Sequence, residues 1–170
     1  VVVFKINNTK HLSVIQRDQV FVTQNGTIAH NDIDSLPSVV KTSQDYEYDV
    51  YIPTFDEFVL LMKRGPQIIY PKDIGSIIIS GNISKFSNIL EVGTGSGALT
   101  LYLSLILETS SNLITLDESS KNQRRAKKTI DRFISSSHSE KKFSKIEYLN
   151  LKFSDFIFDD FCQKVDTIIT

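Results

Sequence analysis

The stretch Leu90-Glu91-Val92-Gly93-Thr94-Gly95-Ser96-Gly97-Ala98 decides the fold. Residues 88–92 read as an apolar strand, 93–97 as a glycine-rich loop and 98–108 as a helix. Glycines at a strand-to-helix turn let the backbone bend sharply and let a ligand approach it closely. The chain has only seven glycines in 170 residues, and three of them fall in this loop, so a plain tight turn is a poor account of them. Such a turn by itself implies only a nucleotide-like cofactor. The spacing is Gly-x-Gly-x-Gly, not the Gly-x-Gly-x-x-Gly of dinucleotide binders, which makes a nicotinamide dehydrogenase the weakest reading. Glu91 stands two residues before the first glycine. A pyrophosphate would be repelled there, whereas a cofactor bearing a cationic amino group and a sulfonium would not.

Downstream, strand and helix take turns. Residues 112–117 read as a strand and 120–134 as a helix with Ala126, Ile130 and Phe133 inward; 135–139 is a polar loop, 146–151 a third strand and 165–170 a fourth. That alternation predicts an α/β fold, a parallel sheet with helices on its faces. Asp117 closes the second strand, where an acid can accept hydrogen bonds from ribose hydroxyls. Asp155 follows the third strand, where a carboxylate can accept from an adenine amino group. Together these residues describe a class I S-adenosylmethionine pocket. The competing reading of Glu91 and Asp117 is a solvated strand end. Asp155, with Asp159 and Asp160 nearby, reads equally well as a surface acid.

Upstream, residues 1–52 read as a small β domain and 53–170 as a Rossmann-like domain. Strands are expected at 1–6, 12–15, 20–23 and, more weakly, 45–52, with a hairpin turn at Gln24-Asn25-Gly26. Thr54 and Glu57 form a capping box for a helix carrying Phe58, Leu61 and Met62 on one face and ending at Gly65-Pro66. Tyr70-Pro71-Lys72-Asp73 is a turn into a second helix, with Asp73 as its N-cap and Ile74, Ile77 and Ile78 on one face. The last expected strand runs to Thr170, and a C-terminal part is expected to follow, because a doubly wound sheet of four strands is unusual. The first residue is not Met, so trimming at the start is expected too.

Composition narrows the classes. Hydrophobic residues are 41% and charged residues 23%, which argues for a soluble globular protein and against disorder. A net charge of -1 gives no global basic field. The lone cysteine, Cys162, excludes an internal disulfide and suits a reducing, cytoplasmic compartment. The longest apolar run, 98–107, falls well short of the roughly 20 residues a bilayer span needs, so no membrane segment is expected. His11, His30 and His138 have no partner at ligand spacing, so no metal site is expected. Lys121, Arg124, Arg125, Lys127, Lys128 and Arg132 form a basic helix surface, read either as a phosphate-contacting face or as an ordinary solvated one.

Two segments together resemble one family. Met62-Lys63-Arg64-Gly65-Pro66-Gln67-Ile68-Ile69-Tyr70-Pro71-Lys72-Asp73-Ile74-Gly75, followed by the glycine loop through Leu99-Thr100, resembles the TrmI family of tRNA (adenine-58-N1)-methyltransferases of archaea and bacteria, related to the catalytic subunit of the eukaryotic enzyme. Many methyltransferases share the glycine motif; the segment ahead of it is far more specific. The resemblance implies a small β domain before a class I methyltransferase domain, S-adenosylmethionine as cofactor, tRNA as substrate and a homotetramer. It places Thr94, Gly95, Ser96, Gly97 and Leu99 at the methionine and ribose end of the cofactor. It gives Asp117 the role of the ribose acid, usually Glu, and Asp155 that of the acid near adenine. Tyr70 matches the tyrosine of the target-base pocket; the plainer reading is a core tyrosine in a turn. The family's next motif, an Asp in a Leu-Asp-Leu-Pro-like run that grips the target adenine, would begin immediately after Thr170. Residues 34–38 also lack the glycines usual there. Two rivals stand: a non-catalytic tRNA-binding or scaffold subunit, and a class I methyltransferase with another substrate.

Overall fold

The computed structural model describes residues 1–62, 68–136, 143–156 and 165–170. The expected helix stop at Gly65-Pro66 and the neighbouring Lys63, Arg64 and Gln67 lie outside the described residues, as do His138, Asp159, Asp160 and Cys162. The chain divides into two units, Val1–Met62 and Lys63–Thr170.

The first unit is antiparallel. Strands β1 (Val2–Ile6), β2 (Thr9–Ser13), β3 (Val20–Thr23), β4 (Gly26–Ala29), β5 (Ser38–Lys41) and β6 (Glu47–Tyr51) precede helix α1 (Phe55–Leu61). Four strands form one sheet in the order β2-β1-β6-β5, and β3-β4 is a separate hairpin. Gly26, at φ 102, closes that hairpin opposite Thr23, where the Asn-Gly pair predicts a turn. Period-2 alternation aims Val2 and Phe4 into a core with Ile28, Val40, Tyr48 and Val50. Phe4 stacks on Phe21 with ring centroids 4.1 Å apart. Strand β5 has no counterpart among the expected elements.

Helix α1 belongs to this unit, so the unit ends at Met62, past the expected boundary at 52. Glu57 ties the helix to the sheet. The capping box forms as expected: Thr54 N donates to Glu57 Oε2 (3.2 Å), and Thr54 Oγ1 accepts from Glu57 N (3.4 Å). Glu57 Oε1 accepts from Tyr51 Oη (3.0 Å) and from Lys10 Nζ.

The second unit is the expected alternation: α2 (Pro71–Ser80), β7 (Ile89–Val92), α3 (Ala98–Ile106), β8 (Leu113–Leu116), α4 (Ser120–Ser136), β9 (Ile146–Leu149) and β10 (Thr167–Ile169). Tyr70, not Asp73, is the N-cap of α2. Pro71 sets φ at the first helical position and needs no N–H there, which starts the helix early and moves Asp73 into its first turn, facing the positive end of the dipole. The sheet is fully parallel in the order β10-β7-β8-β9. Leu90, Ile114 and Leu116 pack with Phe156 in one buried cluster. Alternation sends Glu91, Thr115 and Tyr148, which pair across β7, β8 and β9, to the opposite face. On α4, Ala126 and Ile130 are buried and Phe133 half-buried, while all six basic residues of the helix are exposed.

The bond with Lys10, aided by those with Thr54 and Tyr51, draws the Glu57 carboxyl down to about 2. Because the folded value lies below the ordinary 4.5, the stabilisation is present above about pH 4.5 and is lost as pH falls toward 2. Glu57→Gln is therefore expected to lower stability at pH 7 by about 1 kcal/mol through the weakened cap. In urea unfolding at pH 7 and pH 3 the gap between the two proteins should narrow at the lower pH. Equal stabilities at pH 7 would contradict the role given to Glu57.

Candidate functional site

In the second unit the chain runs outward from β7 through β8 to β9, then returns to β10 on the other side of β7. Connections on the two sides of β7 therefore diverge, and a crevice opens at the carboxyl ends of the strands, where open α/β sheets bind ligands. The glycine loop leaves β7 at that point.

Three glycines shape the loop, with φ of 98° at Gly93, 53° at Gly95 and 82° at Gly97. Their surroundings differ. A Cβ on Gly97 would sit 2.9 Å from Ala126 Cβ, so this position holds α3 close against α4. A Cβ on Gly93 would meet nothing within 4 Å, which leaves that backbone open to a ligand. The loop is hung from the neighbouring strand: Gly93 N and Thr94 N both donate to Leu116 O, at 2.8 and 2.9 Å. Asp117 then fastens its crest. Its Oδ2 accepts from Gly95 N (2.9 Å) and its Oδ1 from Ser119 N (2.8 Å), while Asn150 Nδ2 donates to its carbonyl oxygen.

A cleft of about 340 Å³ lies beside this loop, lined by Val92, Gly93, Leu116, Asp117, Glu118, Leu151, Lys152 and Phe153. Gly93 and Asp117 of the expected residues thus face it directly. Gly95 and Ser96 are half-buried in the loop, and Gly97, Leu99 and Thr94 are buried. Asp155 is exposed on a 3-10 turn with Ser154 Oγ donating to it (3.0 Å), and it is not part of the lining. Tyr70 is 48% exposed at the start of α2, not a core tyrosine. Four wall residues, Glu118, Leu151, Lys152 and Phe153, were not singled out by the sequence; their only signal is position, directly after Asp117 and after the third strand.

Glu91 is neither in the cleft lining nor solvated. It is 3% exposed, and its Oε2 accepts from Thr100 Oγ1 (2.6 Å) and Thr115 Oγ1 (2.7 Å). Burial pushes its carboxyl up to about 7, opposed by the two threonine bonds and reinforced by the charge of Asp117. Thr94 Oγ1 lies 2.8 Å from Thr115 Oγ1, also buried. Among the described residues no three His, Cys, Asp or Glu side chains are grouped to hold a metal, and no helix is long and apolar enough to cross a membrane.

The family model for the tRNA methyltransferase complex GCD14 subunit matches residues 48–170. The tRNA (adenine(58)-N(1))-methyltransferase TrmI of Thermus thermophilus is 37% identical over 86 residues, 49% of this chain and 34% of that protein. The tRNA (adenine(57)-N(1)/adenine(58)-N(1))-methyltransferase TrmI of Methanocaldococcus jannaschii is 35% identical over 97 residues, 57% of this chain and 34% of that one. The chain thus matches about a third of the length of these curated relatives. The crystal structure of the tRNA (m1A58) methyltransferase TrmI of Aquifex aeolicus superimposes with a TM-score of 0.70 at 28% identity, covering 92% of this chain and 58% of that one. A SAM-dependent O-methyltransferase of Thermotoga maritima, at 20% identity and a TM-score of 0.77 over 92% of this chain and 57% of its own, shares the fold.

The two outer glycines should respond differently to alanine. Both pay for a left-handed Ala, about 1–2 kcal/mol. Gly97→Ala also drives a Cβ into Ala126 and should melt well below Gly93→Ala. Equal melting temperatures would show that Gly97 is not a packing contact.

Proposed function

We propose, from the premise that the chain belongs to the family of the tRNA methyltransferase complex GCD14 subunit, that it uses S-adenosylmethionine to methylate N1 of an adenine in tRNA. Position 58 of the T-loop is the target that the TrmI resemblance implies, and the named relatives act there. The observation that carries the reading is the cleft at the switch point, with Gly93, whose backbone is open, and Asp117 both in its lining.

The residues present suit this cofactor. Each Asp117 oxygen receives one N–H in the bonds described and retains a lone pair for a ribose hydroxyl. Gly93, Gly95 and Ser96 offer main chain at close range, with Thr94, Gly97 and Leu99 setting the course of the loop behind them. Leu151 and Phe153 supply an apolar wall for a flat base, and Asp155, exposed nearby in sequence, is the acceptor proposed for its amino group. Glu91 lies outside the cleft lining and accepts from Thr100 and Thr115, so its proposed part in holding the donor is to support the loop from beneath. When bound, S-adenosylmethionine supplies a methyl group on positively charged sulfur, so the protein needs no nucleophile of its own. Alignment of donor and acceptor is the main contribution asked of the chain, worth up to several kcal/mol. An adenine in a folded tRNA loop must be turned out of its stack, and Tyr70, half exposed at the head of α2, is the ring proposed to hold it. The homotetramer that the resemblance implies, and the cytoplasmic location that the lone cysteine suits, are part of the same proposal.

Two substitutions separate donor binding from base binding. Asp117→Asn replaces an acceptor oxygen with a donor and should weaken S-adenosylmethionine binding tenfold or more by calorimetry. Tyr70→Ala should leave that affinity within about twofold and cut methyl transfer to tRNA at least tenfold. Unchanged turnover would remove Tyr70 from the site.

A further inference from the structure

Glu91, Thr115, Thr100 and Thr94 form a closed set of buried polar groups under the glycine loop. All four are at most 3% exposed. They come from four places in the chain: β7, β8, the first turns of α3 and the loop itself. A hydroxyl has one proton to give and two lone pairs to receive with. Thr115 Oγ1 gives its proton to Glu91 Oε2 (2.7 Å), so the 2.8 Å contact with Thr94 must be a donation from Thr94 to Thr115. The direction of every bond in the chain Thr94→Thr115→Glu91 is therefore set by the carboxylate. Thr100, donating to the same oxygen, fixes α3 to the same point.

We propose that Thr115 is a positioning residue for the donor loop, transmitting the hold of the buried Glu91 carboxylate to the Thr94 end of the loop. Asp117 pins Gly95 from just past the end of β8, and Thr115 pins Thr94 from within β8. With both in place the main chain of 93–97 is fixed before a ligand arrives, which lowers the ordering cost of binding. Without the Thr115 hydroxyl, Glu91 loses one of its two hydroxyl donors and Thr94 loses its buried acceptor. Each is left short in a place water does not reach. Since the carboxyl is already pushed up to about 7 by burial, removing a donor raises it further and favours the neutral form, which no longer orders the threonine protons.

The inference rests on the donor site proposed above, and its test is read without the donor as well as with it. Amide hydrogen exchange of the ligand-free chain should quicken at least tenfold at Thr94 and Gly95 in Thr115→Val, an isosteric change. Thr115→Ser, which restores the hydroxyl, should return exchange to within about threefold of the parent. Calorimetry with S-adenosylmethionine should follow the same order, with at least a tenfold loss in Thr115→Val and recovery in Thr115→Ser. If Thr115→Val fails to fold, Thr94→Val, which cuts the same link from the loop side, carries the same expectation. Parental exchange in the valine variant, or no recovery with serine, overturns the role of Thr115. Exchange that responds while no form binds the donor supports Thr115 and overturns the donor reading instead.

Discussion

Two main-chain N–H groups, of Gly95 and Ser119, end on the single carboxylate of Asp117, and the loop that builds the cleft depends on that grip. Strands β7 and β8 lie side by side in parallel register, with Val92 opposite Leu116, so the loop after one and the acid after the other emerge at the same edge. Hydrogen bonds to an ionised acceptor contribute about 1.5–3 kcal/mol each, more than neutral ones. A loop with three left-handed residues has no repeating backbone pattern of its own to hold it. The strand neighbour supplies what the loop lacks, through Leu116 O at its root and Asp117 at its crest. Held in this way, Gly93 keeps open space where a Cβ would stand, and it lines the cleft.

Much of this was legible in the sequence because it is local. The alternation of apolar strand and amphipathic helix from residue 88 onward reads as a parallel α/β sheet, which the strand order bears out, and three clustered glycines mark the turn after its β7. The Thr54–Glu57 capping box spans three residues and appears as read. What the sequence concealed is mostly non-local. Glu91 looks like a strand-end acid facing a ligand or solvent. Its burial depends on hydroxyls nine and 24 residues further along, which meet only when β8 and α3 close over it. The cleft wall at Leu151–Phe153 is built by strand order, which no local pattern states. Asp73 was displaced from the cap by its neighbour Pro71, whose fixed φ outweighs a good capping side chain. Strand β5 has four residues between turn-rich segments, too few to display a period.

Acidic residues do three different jobs in this chain, and their surroundings assign them. Glu57, beside Lys10 and at a helix start, stays ionised far into acid and serves as a tie between helix and sheet. Asp117, at the cleft, spends its charge on backbone amides and keeps lone pairs in reserve. Burial pushes the Glu91 carboxyl up to about 7, and hydrogen bonds from Thr100 and Thr115 oppose that push. A count of charges would not separate them; partner and depth do.

The most direct measurement is a nuclear magnetic resonance titration of the chain with S-adenosylmethionine, following the backbone amides. Saturable one-to-one shifts confined to the loop 93–97, to residues 117–119 and to 151–155 are the expected result. Shifts elsewhere, or none at millimolar donor, would contradict a methyl-donor site at the end of β7.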